Sequence, residues 1–239
     1  MLIGQDYNKI EVELFGWFIQ EPNAFITDFI MALISLILGF ILLRNYLNTE
    51  FETWWISFFV LFGISSLCAA FGHLFFHYWG IAGKFPNWIT GIPIIYFIER
   101  AMITLIPERS KKNRYRLLAL YKMILVYTIF GWICLTFPIK EKPQIAFLPI
   151  ALNTIFGVII SAGILSYQFS KKEQAFKTIF LGVIIMLPSA FVFLLKINLH
   201  PWFDKNDLSH ALLTIGIVFF YFGIEKVKRK SIQFLNGAC

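Results

Sequence analysis

The stretch TDFIMALISLILGFILL, residues 27–43, carries a single charged residue, Asp28, in an otherwise almost continuous apolar run. A helix needs about 20 predominantly apolar residues to cross the hydrocarbon core of a bilayer. One of the later stretches, residues 88–106, also contains two adjacent charges, Glu99 and Arg100. Six more stretches of similar character follow, at residues 54–78, 88–106, 117–137, 147–169, 176–197 and 207–225. We therefore predict an all-α membrane protein in which residues 1–239 form one domain, a bundle of seven transmembrane helices.

The composition is typical of a chain embedded in lipid. Charged residues make up 15% of the sequence, whereas they make up about 25% of soluble domains. The formal net charge is +7, but the basic residues lie in short loops, which is a signal of membrane orientation and not a nucleic-acid-binding surface. Cys68, Cys134 and Cys239 are widely separated, so we expect neither a disulfide framework nor a thiolate metal site.

The basic residues predict the orientation of the bundle. The loop PERSKKNRYR, residues 107–116, has five of them, and further clusters follow the fifth and seventh stretches. Loops rich in lysine and arginine stay in the cytoplasm. We therefore predict an outer N-terminus, a cytoplasmic basic tail at residues 226–239, and a bacterial inner membrane as the location. Residues 1–26 form an interfacial segment in this interpretation, with residues 7–20 as an amphipathic helix on the membrane surface.

Alternating helix directions gather the polar residues into one layer. Asp28 opens helix 1, His73 and His77 close helix 2, and Asp207 and His210 open helix 7. All of these positions fall at the outer end of their helices, because odd-numbered helices run inward and even-numbered helices run outward. His73 and His77 are four residues apart and should share a face of helix 2, as Asp207 and His210 should on helix 7.

Imidazoles and carboxylates from different helices are the ligands of catalytic zinc sites, which keep one position open for water. Ionisable side chains at membrane depth also mark functional sites by default. We therefore predict a zinc site with His73, His77 and His210 as ligands, and with Asp28 or Asp207 as a base or as an orienting group. Structural alternatives remain open, because Asp28 and Asp207 are also suited to helix starts and His77 to the membrane interface.

Three short motifs carry a family resemblance: EPNAFITD at residues 21–28, FGHLFFH at 71–77 and NDLSHALL at 206–213. With a histidine late in helix 2 and another early in helix 7, the chain resembles the CREST superfamily of seven-transmembrane proteins. That group contains alkaline ceramidases, adiponectin and progestin receptors, and Per1-like proteins. The resemblance implies a zinc-dependent lipid hydrolase with ligands at His73 and His210. The chain departs from the family pattern at Asn206, where a histidine is expected, and at Ala69, where a serine is expected.

Two functions follow as hypotheses. The first is a membrane hydrolase that uses zinc to cleave an amide or ester bond of a lipid-like substrate. Its site would lie at the outer boundary between helices 1, 2 and 7, with Asn206 and Ser66 contacting the substrate. The second is a non-catalytic receptor or lipid-binding protein on the same scaffold, which the departures at Asn206 and Ala69 favour. A transporter is a third interpretation.

Overall fold

The computed structural model describes the backbone of residues 3–236 and the side chains of residues 3–230. A β-hairpin precedes a chain that is helical almost throughout. The strands are β1, Glu11–Leu14, and β2, Trp17–Gln20. The helices are α1 Pro22–Arg44, α2 Glu50–Leu74, α3 Phe76–Trp79, a 3-10 turn Gly80–Lys84, α4 Phe85–Thr104, α5 Arg109–Thr136, α6 Pro143–Gly157, a π-helical segment Val158–Leu165, α7 Ser166–Ser170, α8 Phe176–Leu194 and α9 Lys205–Asn236.

Six segments of the described chain are long and apolar enough to cross a membrane, so this is a multi-pass α-helical membrane protein. They are Pro22–Arg44, Glu50–Leu74, Arg109–Thr136, Pro143–Ser170, Phe176–Leu194 and Lys205–Lys230. Helix α4 matches the remaining predicted stretch but is not among them. It carries Glu99, which pairs with Lys122 of α5, and Arg100, which donates to Glu50 of α2 over 3.3 Å. These ion pairs hold α4 inside the bundle.

The helix packing brings three distant parts of the chain together. Helix α1 packs against both α2 and α9, α9 packs along α8, and α2 packs on α4. In the core, the ring of Trp55 on α2 lies 5.4 Å from the ring of Phe220 on α9. Both side chains are fully buried, and large aromatic side chains contribute strongly to such cores. The ends of α1, α2 and α9 are therefore fixed relative to one another.

The predicted second helix, residues 54–78, is interrupted in the structure. Helix α2 ends at Leu74, and α3 begins at Phe76 after a non-helical Phe75 with φ −101° and ψ 22°. A Cβ on Gly72 would collide with the carbonyl oxygen of Gly83, so two glycines allow the chain to turn back tightly against α2. The prediction that His73 and His77 share one helix face is wrong, because they lie in different helices.

The predicted amphipathic helix at residues 7–20 is also wrong. Residues 11–20 form an antiparallel hairpin in which Leu14 pairs with Trp17. The two-residue turn consists of Phe15 and Gly16, with φ values of 52° and 78°. Positive φ at both positions is the geometry of a hairpin turn, and glycine adopts it at no steric cost. Before the turn, Glu11–Leu14 alternates between polar and apolar residues, which is a strand period and not a helix period.

The opposite end of the bundle is closed by a buried ion pair. Lys228 of α9 lies 3.0 Å from Oε1 of Glu52 in α2 and donates to the carbonyl oxygen of Asn45 at the end of α1. Both charged side chains are almost fully buried. Helix α9 runs through the predicted tail without a break to Asn236, while residues 237–239 of that tail lie outside the described residues.

Candidate functional site

The side chains of Asp28, His73 and His210 meet at one end of the bundle. Asp28 lies in the second turn of α1, His73 in the last turn of α2 and His210 in the second turn of α9. The Nε2 atom of His210 is 3.4 Å from Oδ1 of Asp28, and the Nε2 atom of His73 is 3.9 Å from Oδ2. The side chain of Asp28 is 2% exposed and each imidazole 15%. The carboxylate is thus sealed while the histidine edges stay accessible.

A second set of residues holds the other nitrogen of each imidazole. The Nδ1 atom of His73 lies 2.7 Å from Oε2 of Glu21, and the Nδ1 atom of His210 lies 2.9 Å from the hydroxyl of Thr27. Glu21 is buried and has φ 51°, a left-handed conformation that is costly for a residue with a side chain and that concentrates at functional sites.

Glu21 is ionised under ordinary conditions. Burial would raise the pKa of Glu21, but the hydrogen bond and charge of His73, together with the charges of Lys9 and Lys84, lower it to about 2. A carboxylate can only accept hydrogen bonds. His73 therefore donates its Nδ1 proton to Glu21, and in its neutral form it presents an unprotonated Nε2 to Asp28.

The same reasoning applies to His210. Oδ1 of Asp207 lies 2.9 Å from the Thr27 hydroxyl, the same distance as Nδ1 of His210, and a carboxylate oxygen can only accept the hydroxyl proton. Thr27 then accepts the Nδ1 proton of His210, so that Nε2 of His210 is also unprotonated. Tautomers are assigned here from the hydrogen-bond network. In this assignment two imidazole lone pairs face one carboxylate, and Oδ2 of Asp28 is buried without a hydrogen-bond donor among the described residues.

Asp207 is fully occupied by local hydrogen bonds. Its Oδ2 accepts from Nδ2 of Asn23 at 2.7 Å and from the backbone amide of Asp204 at 2.9 Å. Asp204 in turn accepts from the backbone amide of Asn206 at 2.7 Å. This reciprocal pattern caps the start of α9. Asp207 is therefore placed both to cap the helix and, through Thr27, to orient His210.

Lys84 is a cation beside this cluster that the sequence analysis did not single out. It ends the 3-10 turn, directly after the Gly83 that packs on α2. Burial lowers the pKa of Lys84 to about 8, although the negative charges of Glu21 and Asp28 act in the opposite direction and raise it. The sequence analysis also assigned no role to Glu21, Asn23 or Thr27, although all three belong to the motif EPNAFITD.

Three of the predicted site residues lie apart from the cluster. His77 is exposed, and its ring stacks on Phe18 of the hairpin at 5.3 Å. The side-chain amide of Asn206 is directed to Asp204, 3.4 Å away. Ser66 is buried two helical turns before His73, with no hydrogen bond to the cluster within the described side chains. None of the three contacts Asp28 in the arrangement described.

The two imidazoles and the carboxylate of this cluster are groups of the kind that bind zinc. Two imidazole nitrogens and one carboxylate oxygen are a common ligand set for catalytic zinc, and an outer acceptor on the other nitrogen of each histidine is the usual support. Two ligands with zinc bonds of about 2.0–2.1 Å lie roughly 3.4 Å apart in tetrahedral geometry, which is the His210–Asp28 separation. Among residues 3–230 no group of three or more His, Cys, Asp and Glu side chains is placed to hold a metal ion, so His73 would have to move closer for this cluster to bind one.

Comparisons with known proteins give one match. The profile of a family described as a family of unknown function, DUF6962, matches residues 23–229. No curated protein and no solved structure matches the chain. The matched region includes Asp28, His73 and His210, while Glu21 and the hairpin precede it.

Proposed function

The chain belongs to the family of unknown function DUF6962, and we propose that it is a zinc-dependent membrane hydrolase acting on an amide or ester bond of a lipid-like substrate. One observation carries the proposal. The Nε2 atoms of two imidazoles, each hydrogen-bonded elsewhere through Nδ1, lie 3.4 and 3.9 Å from a buried carboxylate whose Oδ2 has no hydrogen-bond donor among the described residues. Electron-rich groups in such an arrangement repel each other unless a cation or a proton lies between them.

His73, His210 and Asp28 would hold the metal in this proposal. Zinc, when bound, supplies a Lewis acid that polarises a carbonyl and lowers the pKa of a water molecule. Glu21 and Thr27 fix the two imidazoles so that Nε2 faces inward. Asp207 is a positioning residue that acts through Thr27. Oδ2 of Asp28 is the atom we assign as proton acceptor, because no described donor satisfies it.

The position of the cluster supports a lipid-like substrate. Asp28, His73 and His210 lie near the ends of three helices that are long and apolar enough to cross a membrane. A helix that spans the hydrocarbon core has its ends where acyl chains meet polar headgroups. We further propose that α4 is a seventh crossing and that the cluster faces the outside of a bacterial inner membrane. The supporting observation is the distribution of basic residues, because loops rich in lysine and arginine stay in the cytoplasm. Arg109 and its basic neighbours begin α5 at the end of the bundle opposite to the cluster.

Hydrolysis of defined lipids by the purified protein tests this function. The zinc-loaded protein in nanodiscs is incubated with a panel of N-acyl and O-acyl lipids, and released fatty acid is measured by mass spectrometry. We expect release that stops with a chelator and in His73→Ala, His210→Ala and Asp28→Asn. His77→Ala is the matched control and should keep the activity. Release that persists in Asp28→Asn, or no release from any lipid, would contradict the proposal.

A non-catalytic lipid-binding function is the second candidate, and two observations favour it. The side-chain amide of Asn206 is directed to Asp204, the capping residue of α9, and not to the cluster. An open apolar groove of about 640 Å³ lies between α2 and the 3-10 turn, lined in part by Leu67, Phe71 and Trp79. A lipid that co-purifies with the protein and is never cleaved would support this candidate over hydrolysis.

A further inference from the structure

The turn of the N-terminal hairpin contains an unusual residue. Phe15 has φ 52° and is 93% exposed. Turns with positive φ at both central residues normally carry asparagine, aspartate or glycine, because a bulky side chain is strained there. A large aromatic ring that is both strained and exposed breaks two local rules. Such a conflict is expected where a residue has a function outside the packed fold.

The hairpin also has one entirely apolar face. Side chains alternate along a strand, and directly paired residues share a face. The register therefore places Val12, Leu14, Trp17 and Ile19 on one side. Glu11, Glu13 and Gln20 lie on the other side together with Phe18, whose ring stacks on His77. Val12, Leu14 and Trp17 are all well exposed, so the protein itself leaves this face largely uncovered.

The apolar face continues into the lipid-facing surface of the helices through a row of aromatic rings. Trp17 lies 6.1 Å from Phe75, and Phe75 stacks at 6.3 Å on Phe71 of α2. Phe71 is exposed on a helix that is apolar and long enough to span the membrane, and it lies 5.7 Å from Phe25 of α1. The hairpin is thus an extension of the surface that contacts acyl chains.

We infer that the hairpin is a membrane anchor, with the Phe15 ring inserted into the lipid leaflet next to α2. Burial of Phe15 and of the apolar face in lipid offsets the strain of the turn. The two glutamates on the opposite face remain in water. Because Glu21 follows β2 directly, the anchored hairpin also holds the residue that accepts the Nδ1 proton of His73. The anchor itself does not depend on the hydrolase proposal.

Spin-label accessibility in phosphatidylcholine nanodiscs tests the anchor. In a chain with Cys68, Cys134 and Cys239 replaced by alanine, a nitroxide is placed by Val12→Cys on the apolar face or by Glu13→Cys on the polar face. Oxygen reports exposure to lipid and a water-soluble nickel complex reports exposure to water. We expect the label at position 12 to be reached by oxygen and the label at position 13 by nickel.

Substitutions of Phe15 then separate insertion from folding. Phe15→Asn suits the turn, so the hairpin stays folded, but the preference of the label at position 12 for oxygen should be lost. Phe15→Trp should keep that preference. Equal nickel access at positions 12 and 13 in the chain with Phe15 would overturn the inference. If the label at position 12 keeps its preference for oxygen in Phe15→Asn, the proposed insertion of the Phe15 ring is overturned.

Discussion

The Nε2 atom of His210 lies 3.4 Å from Oδ1 of Asp28, although the two residues are far apart in sequence and belong to the first and last helices of the bundle. The contact exists because α1 packs directly against α9. Thr27, the residue before Asp28, holds the other nitrogen of the same imidazole. Two successive residues of α1 therefore fix both edges of one histidine ring.

Asp28→Asn should separate metal binding from stability. The substitution removes the carboxylate charge, and we expect zinc affinity to fall by at least about tenfold. The new amide can donate to an imidazole Nε2, so the zinc-free variant should unfold at the same temperature as the zinc-free parent or above it. Asp204→Asn is the control, because asparagine also caps helices well and zinc binding should not change. If zinc-free Asp28→Asn is strongly destabilised, Asp28 and the Nε2 atoms of His73 and His210 are not a group of acceptors that repel one another.

Glu21→Gln should remove part of the acid sensitivity of the fold. The pKa of Glu21 is lowered from 4.5 to about 2, so ionised Glu21 stabilises the folded state fully above about pH 4.5 and this stabilisation is lost as the pH falls towards 2. The shift corresponds to about 3 kcal/mol. Thermal unfolding measured across this range should show a smaller decline for Glu21→Gln than for the parent. Identical pH profiles would be evidence against the Glu21–His73 interaction.

Gly72→Ala should loosen the turn that follows α2. The added methyl group would meet the Gly83 carbonyl, and such overpacking costs about 1–3 kcal/mol in the free energy of unfolding. Gly131→Ala is the matched control, since nothing lies within 4 Å of its Cβ position and alanine favours a helix by up to about 1 kcal/mol. The denaturant concentration at the midpoint of unfolding should therefore fall for Gly72→Ala and rise for Gly131→Ala. Equal effects would mean that the close approach is absent.

Lys228→Met should destabilise the bundle at the end opposite to the histidines. It leaves Glu52 buried without its cation, which costs about 3–5 kcal/mol. Adding Glu52→Gln removes the stranded charge and keeps an acceptor for the amide of Leu47, so the double variant should recover most of the lost stability. Thermal unfolding of Lys228→Met, the double variant and the parent gives the comparison. Zinc binding should be the same in all of these proteins. A change in zinc binding would mean that the Glu52–Lys228 ion pair is coupled to the histidine cluster at the other end of the bundle.

The sequence was sufficient to predict an all-α membrane protein, with six of the expected spans present in the described chain, and the layer that contains the site. Apolar runs and alternating direction predicted that Asp28, His73 and His210 lie at one end, and the structure brings them together. It was insufficient for His77, because the break at Phe75 depends on the packing of Gly72 against Gly83, a contact between residues that are separated by a turn. A four-residue spacing defines a common face only if the helix continues.

The supporting residues could not be predicted for a related reason. Glu21 and His73 are 52 positions apart, and Thr27 and His210 are 183 positions apart. These hydrogen bonds depend on how α1 is rotated relative to α2 and α9, and apolar runs do not encode that rotation. The hairpin was missed because only Glu11–Leu14 alternates between polar and apolar residues, whereas Trp17, Phe18 and Ile19 form a continuous apolar run.

Calorimetric titration of zinc into the metal-free protein in detergent tests the central claim most directly. We expect about one zinc per chain for the unmodified protein and for His77→Ala. Binding should be lost or greatly weakened in His73→Ala, His210→Ala and Asp28→Asn. The absence of saturable zinc binding by the unmodified protein would contradict the proposed metal centre, as would equal binding by all of these variants.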